Sequence, residues 1–272
     1  MKSLLMDLLA DEPDAFQGRS TAREYLQARI LLALQDHGSF TDWAFVGGTA
    51  LRFLYRLPRY SEDLDFSLLA AGRDARFESL MRSVRHDLTA EGYEVEIQSR
   101  ARGAVTIGMV KFGRLLYEAG LSPHASQVLA IRVEIDTNPP AGADCDTSVV
   151  RTFGMLNLLH HDRASLFAGK LHAVLMRAYT KGRDLYDLAW YLSDPEWPAP
   201  NLRLLNSALR QTGWAGAPAT PATWRELVAD KLQSIDWSVA RNDVSPFLER
   251  RQDADLVDRD VLLGLLGQRR ES

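Results

Sequence analysis

The chain has 272 residues, 46% of them apolar and 25% charged, the balance of an ordinary globular protein; that excludes collagen-like, disordered and multi-span membrane chains. A formal net charge of −4 argues against an obligate bulk nucleic-acid binder, which carries surplus cations, but leaves room for a locally basic cleft. The single cysteine, Cys145, cannot form an internal disulfide, and Asp7 interrupts the apolar start at Met1–Ala10, so the expectation is a cytoplasmic chain with no signal peptide and no membrane partner.

Thr21–His37 reads as the first helix, with Thr21 and Glu24 at capping-box spacing, a Leu26, Ile30, Leu34 stripe and Gly38 at its stop. Trp43–Val46 reads as a short buried strand running into Gly47-Gly48. Thr49 is expected to cap the next helix, which Pro58 breaks. Asp63–Leu69 alternates, with Asp63, Asp65 and Ser67 opposite Leu64, Phe66 and Leu68. A helix then carries Phe77, Leu80, Met81, Val84 and Leu88 as far as Gly92.

Tyr93–Gln98 and Ala104–Phe112 form a predicted strand pair. Ile131–Thr137 alternates again, with Arg132, Glu134 and Asp136 on its polar face. Asn138-Pro139-Pro140-Ala141-Gly142 ends that strand. Beyond about Val150 only helices are expected, over Asp162–Thr180, Arg183–Leu192, Leu202–Leu209, Trp224–Ile235 and Asp255–Leu266. The predicted class is α+β: a mixed sheet with packed helices over residues 1–150, then an all-helical domain over 151–272.

Chemistry concentrates between Gly47 and Asp65. Two glycines at a strand-to-helix junction let a phosphate approach the backbone, where a helix N-terminus offers free N–H groups. Asp63 and Asp65, two apart on a strand, set both carboxylates on one face, as hard divalent cations require. The second acidic strand offers a third carboxylate, with Glu134 and Asp136 both open. Each feature alone is ordinary, since a glycine pair is usually a turn and an Asp-x-Asp a solvated face; their order is what makes them specific. Lys170 falls among Leu166, Phe167, Leu171 and Val174, where a lysine is costly unless it meets an anion or snorkels to water. Arg183 and Asp187 sit four apart and could pair along their helix. His160-His161 and Cys145 read as structural or incidental, and the tryptophans of the helical half as packing anchors.

Gly47-Gly48-Thr49-Ala50-Leu51-Arg52 followed by Leu57-Pro58-Arg59-Tyr60-Ser61-Glu62-Asp63-Leu64-Asp65-Phe66 resembles the first motif of the AbiEii-type nucleotidyltransferase toxins, a MenT-like family within the DNA polymerase β-like nucleotidyltransferase superfamily. Lys170 and Lys181-Gly182-Arg183-Asp184-Leu185-Tyr186-Asp187-Leu188 resemble its later lysine and Arg-Asp-x-x-Asp-Leu motifs. Glu134-Ile135-Asp136 is similar to the strand bearing its third acid.

The resemblance implies a Mg²⁺-dependent transfer of a nucleotide from a nucleoside triphosphate, with tRNA as the expected acceptor and an antitoxin as the expected partner. It implies that Asp63, Asp65 and Glu134 form the metal-binding catalytic set, and that Gly47, Gly48 and Thr49 lie at the triphosphate. It also implies that Lys170 balances phosphate charge, that Arg183 lies at the nucleotide, and that Asp184 or Asp187 positions nucleotide or lysine. The helical domain is expected to complete the nucleotide site. The rival expectations are a small-molecule nucleotidyltransferase and a non-catalytic nucleotide-binding partner protein.

Overall fold

In the computed structural model, which describes residues 1–267, the elements run in order α1 (Lys2–Ala10), α2 (Ala15–Asp36), β1 (Trp43–Val46), α3 (Gly47–Tyr55), β2 (Leu64–Leu68), α4 (Phe77–Ala90), β3 (Glu94–Arg102), β4 (Val105–Gly113), α5 (Leu115–Glu118), β5 (Leu129–Asp136), β6 (Cys145–Val150) and β7 (Leu156–His161). The helical half follows as α6 (Arg163–Met176), α7 (Gly182–Ser193), α8 (Leu202–Gln211), α9 (Trp224–Leu232), α10 (Trp237–Val244) and α11 (Arg259–Gly267). Two compact units result. One comprises Met1–Tyr55, Tyr60–Pro139 and Thr147–His160; the other comprises Arg56–Arg59, Pro140–Asp146 and the chain from His161 onward.

The sheet has the order β3-β4-β5-β2-β1-β7-β6. Its centre is mixed: β2 runs antiparallel to β1 and parallel to β5, while β1 runs parallel to β7. β1 is central because Trp43, Ala44 and Phe45 are all buried, the mark of a strand covered on both faces. Trp43 stacks on Phe77 from α4 at 5.7 Å between ring centroids, and Phe66 from β2 lies 5.3 Å from both Trp43 and Phe45. β5 alternates along its whole length, with Leu129, Ile131, Val133 and Ile135 buried and the residues between them half-buried.

Several elements depart from expectation. α2 starts at Ala15, six residues before Thr21, because Asp14 accepts the Phe16 and Gln17 N–H groups at 2.8 and 2.9 Å. The Thr21 hydroxyl donates to Glu12 at 2.5 Å and caps nothing. α3 begins at Gly47, so Thr49 is a buried residue of its first turn and not its cap. Nor is the chain beyond Val150 purely helical. β7 follows, with Leu156, Leu158 and His160 buried in alternation, and His160 registers with Phe45 of β1.

In the helical unit, Phe167 of α6 stacks on Tyr191 of α7 at 4.7 Å, and Trp190, Trp197 and Trp224 close around the pair. These tryptophans pack, as expected. α10 was not foreseen; Asp236 caps it by accepting the Val239 N–H at 3.0 Å. α7 approaches it so closely that a Cβ on Gly182 would lie 1.8 Å from the Ala240 carbonyl oxygen.

Candidate active site

In the sheet unit the parallel pairing of β2 with β5 fixes the register of the acids. Asp65 is the direct partner of Glu134, and Ser67 that of Asp136. Parallel partners project to the same face, so Asp65 and Glu134 stand side by side while Asp136 lies one pair further along. Asp63 immediately precedes β2 and meets the same strand through Arg132, whose Nη2 donates to Asp63 Oδ2 at 2.7 Å. Arg132 Nη1 lies 3.4 Å from Glu134 Oε2. One guanidinium therefore stands between two of the three expected carboxylates.

Burial disfavours the charge of Arg132, but the hydrogen bond and charge of Asp63, with Glu134 and Asp65 behind it, hold its proton more tightly than usual. Burial alone pushes the Asp136 carboxyl up, partly offset by the Asn138 N–H donating to it at 2.9 Å.

The glycine turn abuts this face. Gly47 has φ +79, in the left-handed region, and a Cβ there would lie 2.5 Å from Asp65 Oδ2. Backbone and carboxylate approach this closely only because no side chain intervenes. Thr49 is fully buried and its hydroxyl donates to the Asp63 carbonyl oxygen, tying the first turn of α3 to the start of β2. Among the described residues no three His, Cys, Asp or Glu side chains converge tightly enough to hold a metal ion. His160 is buried, with its Nε2 2.9 Å from Ser148 Oγ.

The later motif residues assemble within the helical unit. Asp184 and Asp187, three apart on α7, share one face of that helix. Lys170 Nζ from α6 lies 2.8 Å from Asp184 Oδ1 and 2.8 Å from Asp187 Oδ2. Arg59 grips Asp187 in a two-toothed pair, Nε to Oδ1 and Nη2 to Oδ2, both at 2.6 Å. Asp187 has no solvent exposure and Arg59 only 3%. Burial works against the Asp187 charge, but Arg59 and Lys170 overcome it and hold the carboxyl at about 2. Asp184 is lowered in the same sense by Lys170 and Arg177, and Lys170 is raised by Asp184 and Asp187, each against the cost of burial.

Lys170 thus neither snorkels nor stands free; two carboxylates neutralise it. Arg183 places its guanidinium 4.0 Å from the centre of the Phe247 ring, and its N–H donates to Asp243 Oδ2 at 3.3 Å.

Sequence reasoning gave no role to the two arginines that organise these clusters. The signal for Arg132 was present, since it shares the alternating face of Glu134. Arg59 lay inside the quoted first motif, but nothing local tells that its partner is 128 residues away.

Comparison with known proteins can now be set beside this geometry. The family model described as "Nucleotidyl transferase AbiEii toxin, Type IV TA system" matches residues 29–259. The chain belongs to the AbiEii family. It is accordingly a nucleotidyltransferase of a toxin type defined by pairing with an antitoxin. Two solved structures from Helicobacter pylori resemble it: JHP933, at 19% identity and TM-score 0.48 over 89% of this chain and 93% of that one, and a presumptive nucleotidyltransferase, at 19% and 0.48 over 88% and 94%. A search of the curated proteins found no match. The AbiEii assignment therefore rests on the family match.

Proposed function

We propose that this AbiEii protein transfers a nucleotide from a nucleoside triphosphate to a hydroxyl of an RNA acceptor, with tRNA as the acceptor and Mg²⁺ as the cofactor. One observation carries the reading: Asp65 and Glu134 are register partners on adjacent strands, and the glycine turn at Gly47 packs directly on Asp65. The donors are all carboxylate oxygens, the set a hard divalent ion prefers. Asp63, Asp65 and Glu134 do not converge on an ion as they stand; to hold one, Asp63 and Glu134 would have to leave Arg132. When bound, it supplies the positive charge that offsets charge developing on the phosphates.

The chain's own residues do the rest. Glu134 accepts the proton of the attacking hydroxyl. That oxygen forms a bond to the α-phosphorus as the bond to the bridging α–β oxygen breaks, and pyrophosphate leaves. The Gly47-Gly48 turn presents backbone to the triphosphate without a side chain in the way. Thr49 is a positioning residue that fixes Asp63 through its carbonyl. In the helical unit Lys170 is the expected phosphate-directed cation. Asp184 and Asp187 neutralise it as it stands, with Arg59 holding Asp187, so a phosphate would have to draw it from them. Arg183 lies at the start of α7. The antitoxin would neutralise this transfer in the cytoplasm.

The test incubates the protein with Mg²⁺, each labelled triphosphate and total tRNA, and asks which polymer gains label. Asp65→Asn is expected to cut transfer at least about 100-fold while the circular dichroism spectrum stays unchanged. Labelling of small metabolites in place of RNA would overturn the acceptor assignment, and retained transfer by Asp65→Asn would overturn the site.

A further inference from the structure

The helical unit carries a second feature, which shares Asp184 with the cluster around Lys170. A pocket opens where the chain passes from α6 to α7, lined by Arg177, Tyr179, Lys181, Asp184, Lys231 and Ser234 among others. Of its twelve lining residues three are cations and one is an acid. The acid is already engaged, since Asp184 Oδ1 binds Lys170 and its Oδ2 lies 3.0 Å from Arg177 Nε. That last approach has ion-pair distance without hydrogen-bond geometry, so Asp184 Oδ2 and Arg177 Nε are both buried and lack a hydrogen bond. Lys231 Nζ gives one N–H to the Arg177 carbonyl at 3.1 Å.

Lys181 is held below the usual lysine range, chiefly by burial and further by Arg183, Arg177 and Lys170, with Asp184 pulling the other way. The lining thus sets three cations against one acid, and that acid is shared with Lys170. In the same lining, Tyr179 is 64% exposed, while its hydroxyl accepts from Arg177 Nη1 at 2.5 Å. The Arg177 guanidinium also lies 5.1 Å from the centre of that ring, so an arginine braces a ring that is mostly in solvent.

We infer that this pocket binds a single-stranded segment of the acceptor RNA, with Arg177, Lys181 and Lys231 taking a backbone phosphate and Tyr179 stacking on a base. Phosphate supplies the missing anion, and the π-face of any base suits an exposed tyrosine. Asp184 Oδ2, ion-paired with Arg177 but without a hydrogen bond, keeps acceptor capacity that a ribose 2′-hydroxyl can use and a deoxyribose cannot. A free inorganic anion would satisfy the cations but neither the ring nor the carboxylate. The inference rests on the RNA-acceptor reading and gives it a location in the sequence.

The test measures fluorescence anisotropy of a labelled single-stranded RNA 12-mer with the full chain, in the absence of triphosphate. Lys181→Ala and Lys231→Ala should each weaken binding several-fold and flatten the dependence on salt, by about 0.7 per lost contact on logarithmic axes. Tyr179→Ala should weaken it at least about fivefold and Tyr179→Trp should restore it; the DNA 12-mer of the same sequence should bind more weakly than the RNA.

Circular dichroism checks that each variant is folded, and Tyr179, being exposed, keeps the test open should a lysine variant fail to fold. Unchanged RNA affinity in all of them, or a loss that falls on triphosphate affinity and spares RNA, overturns the inference. If the unaltered protein labels tRNA while the pocket variants bind it normally, the pocket is wrong and the transfer reading stands. If no RNA is labelled but oligonucleotide binding is lost in the variants, the pocket stands and the acceptor reading falls.

Discussion

Arg132 occupies the position at which the chemistry of the acidic face is decided. Its guanidinium bonds Asp63 at 2.7 Å and lies 3.4 Å from Glu134, so a metal ion entering between the carboxylates must displace a cation already there. Like charges brought together on one face repel unless compensated, and Arg132 compensates them in the absence of another ion. Replacing it by glutamine keeps a side chain of similar length and removes the competing charge. Arg132→Gln is therefore expected to bind Mn²⁺ several-fold more tightly than the unaltered chain, measured by electron paramagnetic resonance titration of free Mn²⁺. Asp65→Asn should bind it more weakly. Equal affinity in Arg132→Gln and the parent would mean that the ion, if bound, does not share these carboxylates.

Asp187 shows the opposite arrangement, a carboxylate with no route to solvent. A buried acid that loses its cation, or a buried cation that loses its acid, costs about 3–5 kcal/mol. Asp187→Ala removes the two-toothed partner of Arg59 and one of the two carboxylates on Lys170, so it should lower the urea midpoint sharply and also reduce transfer by the protein that remains folded. Asp187→Asn keeps the shape and should fall between. A stable, correctly folded Asp187→Ala with full activity would show that the residue does not position Lys170.

Among the elements, α7 is the one whose placement carries the most consequence, because it brings Asp184 and Asp187 to Lys170. Gly182 begins it, and the Ala240 carbonyl of α10 occupies the space where a Cβ would go. The obstacle is backbone, which cannot rotate aside as a flexible side chain would, so Gly182→Ala should cost about 1–3 kcal/mol by forcing α7 and α10 apart. Urea denaturation measures the loss, and a parallel loss of Lys170-dependent activity would follow from the shift of α7.

The same contact explains what the sequence conceals. The strand at Trp43–Val46 and the alternation of β5 are local signals, written within a few residues; the caps expected at Thr21 and Thr49 are not, since Asp14 starts α2 and Thr49 lies within α3. β7 was hidden because six residues ending in His160-His161 look neither apolar nor regular until paired with β1. α10 was hidden because its packing partner is Gly182, some 60 residues earlier. Alternation, a local rule, set the acids of each strand on one face, while the pairing of Asp65 with Glu134 and of Arg59 with Asp187 is chosen by tertiary packing.

At the scale of the whole chain, the two units are stabilised differently. The sheet unit has an aromatic and aliphatic centre around Trp43, Phe45, Phe66 and Phe77, whose stability does not depend on protonation. The helical unit has an aromatic core too, but it also buries the Arg59, Lys170, Asp184 and Asp187 cluster. Asp187 falls from the ordinary carboxylate range to about 2 on folding, held there by Arg59 and Lys170, and Asp184 moves in the same direction. A carboxyl lowered in the folded state binds its proton more readily when unfolded, so its stabilisation is complete above about pH 4 and is lost as pH falls toward 2.

Asp136 of the sheet unit has the reverse sign. Its carboxyl is raised by burial, so it contributes below the unfolded value and loses that contribution as pH rises. Asp87 is also lowered, but it is about one-third exposed beside His37 and His86 and counts for little. Acid should therefore weaken the helical unit first. Five of the six tryptophans, all but Trp43, lie in that unit. On titration from pH 5 to pH 2, tryptophan fluorescence is expected to change at a higher pH than hydrogen-exchange protection of β1, β2 and β5 is lost. Asp187→Asn, which has no carboxyl to protonate there, should bring the two transitions closer together. Coincident transitions in the unaltered protein would show that the ionic cluster does not set the acid limit.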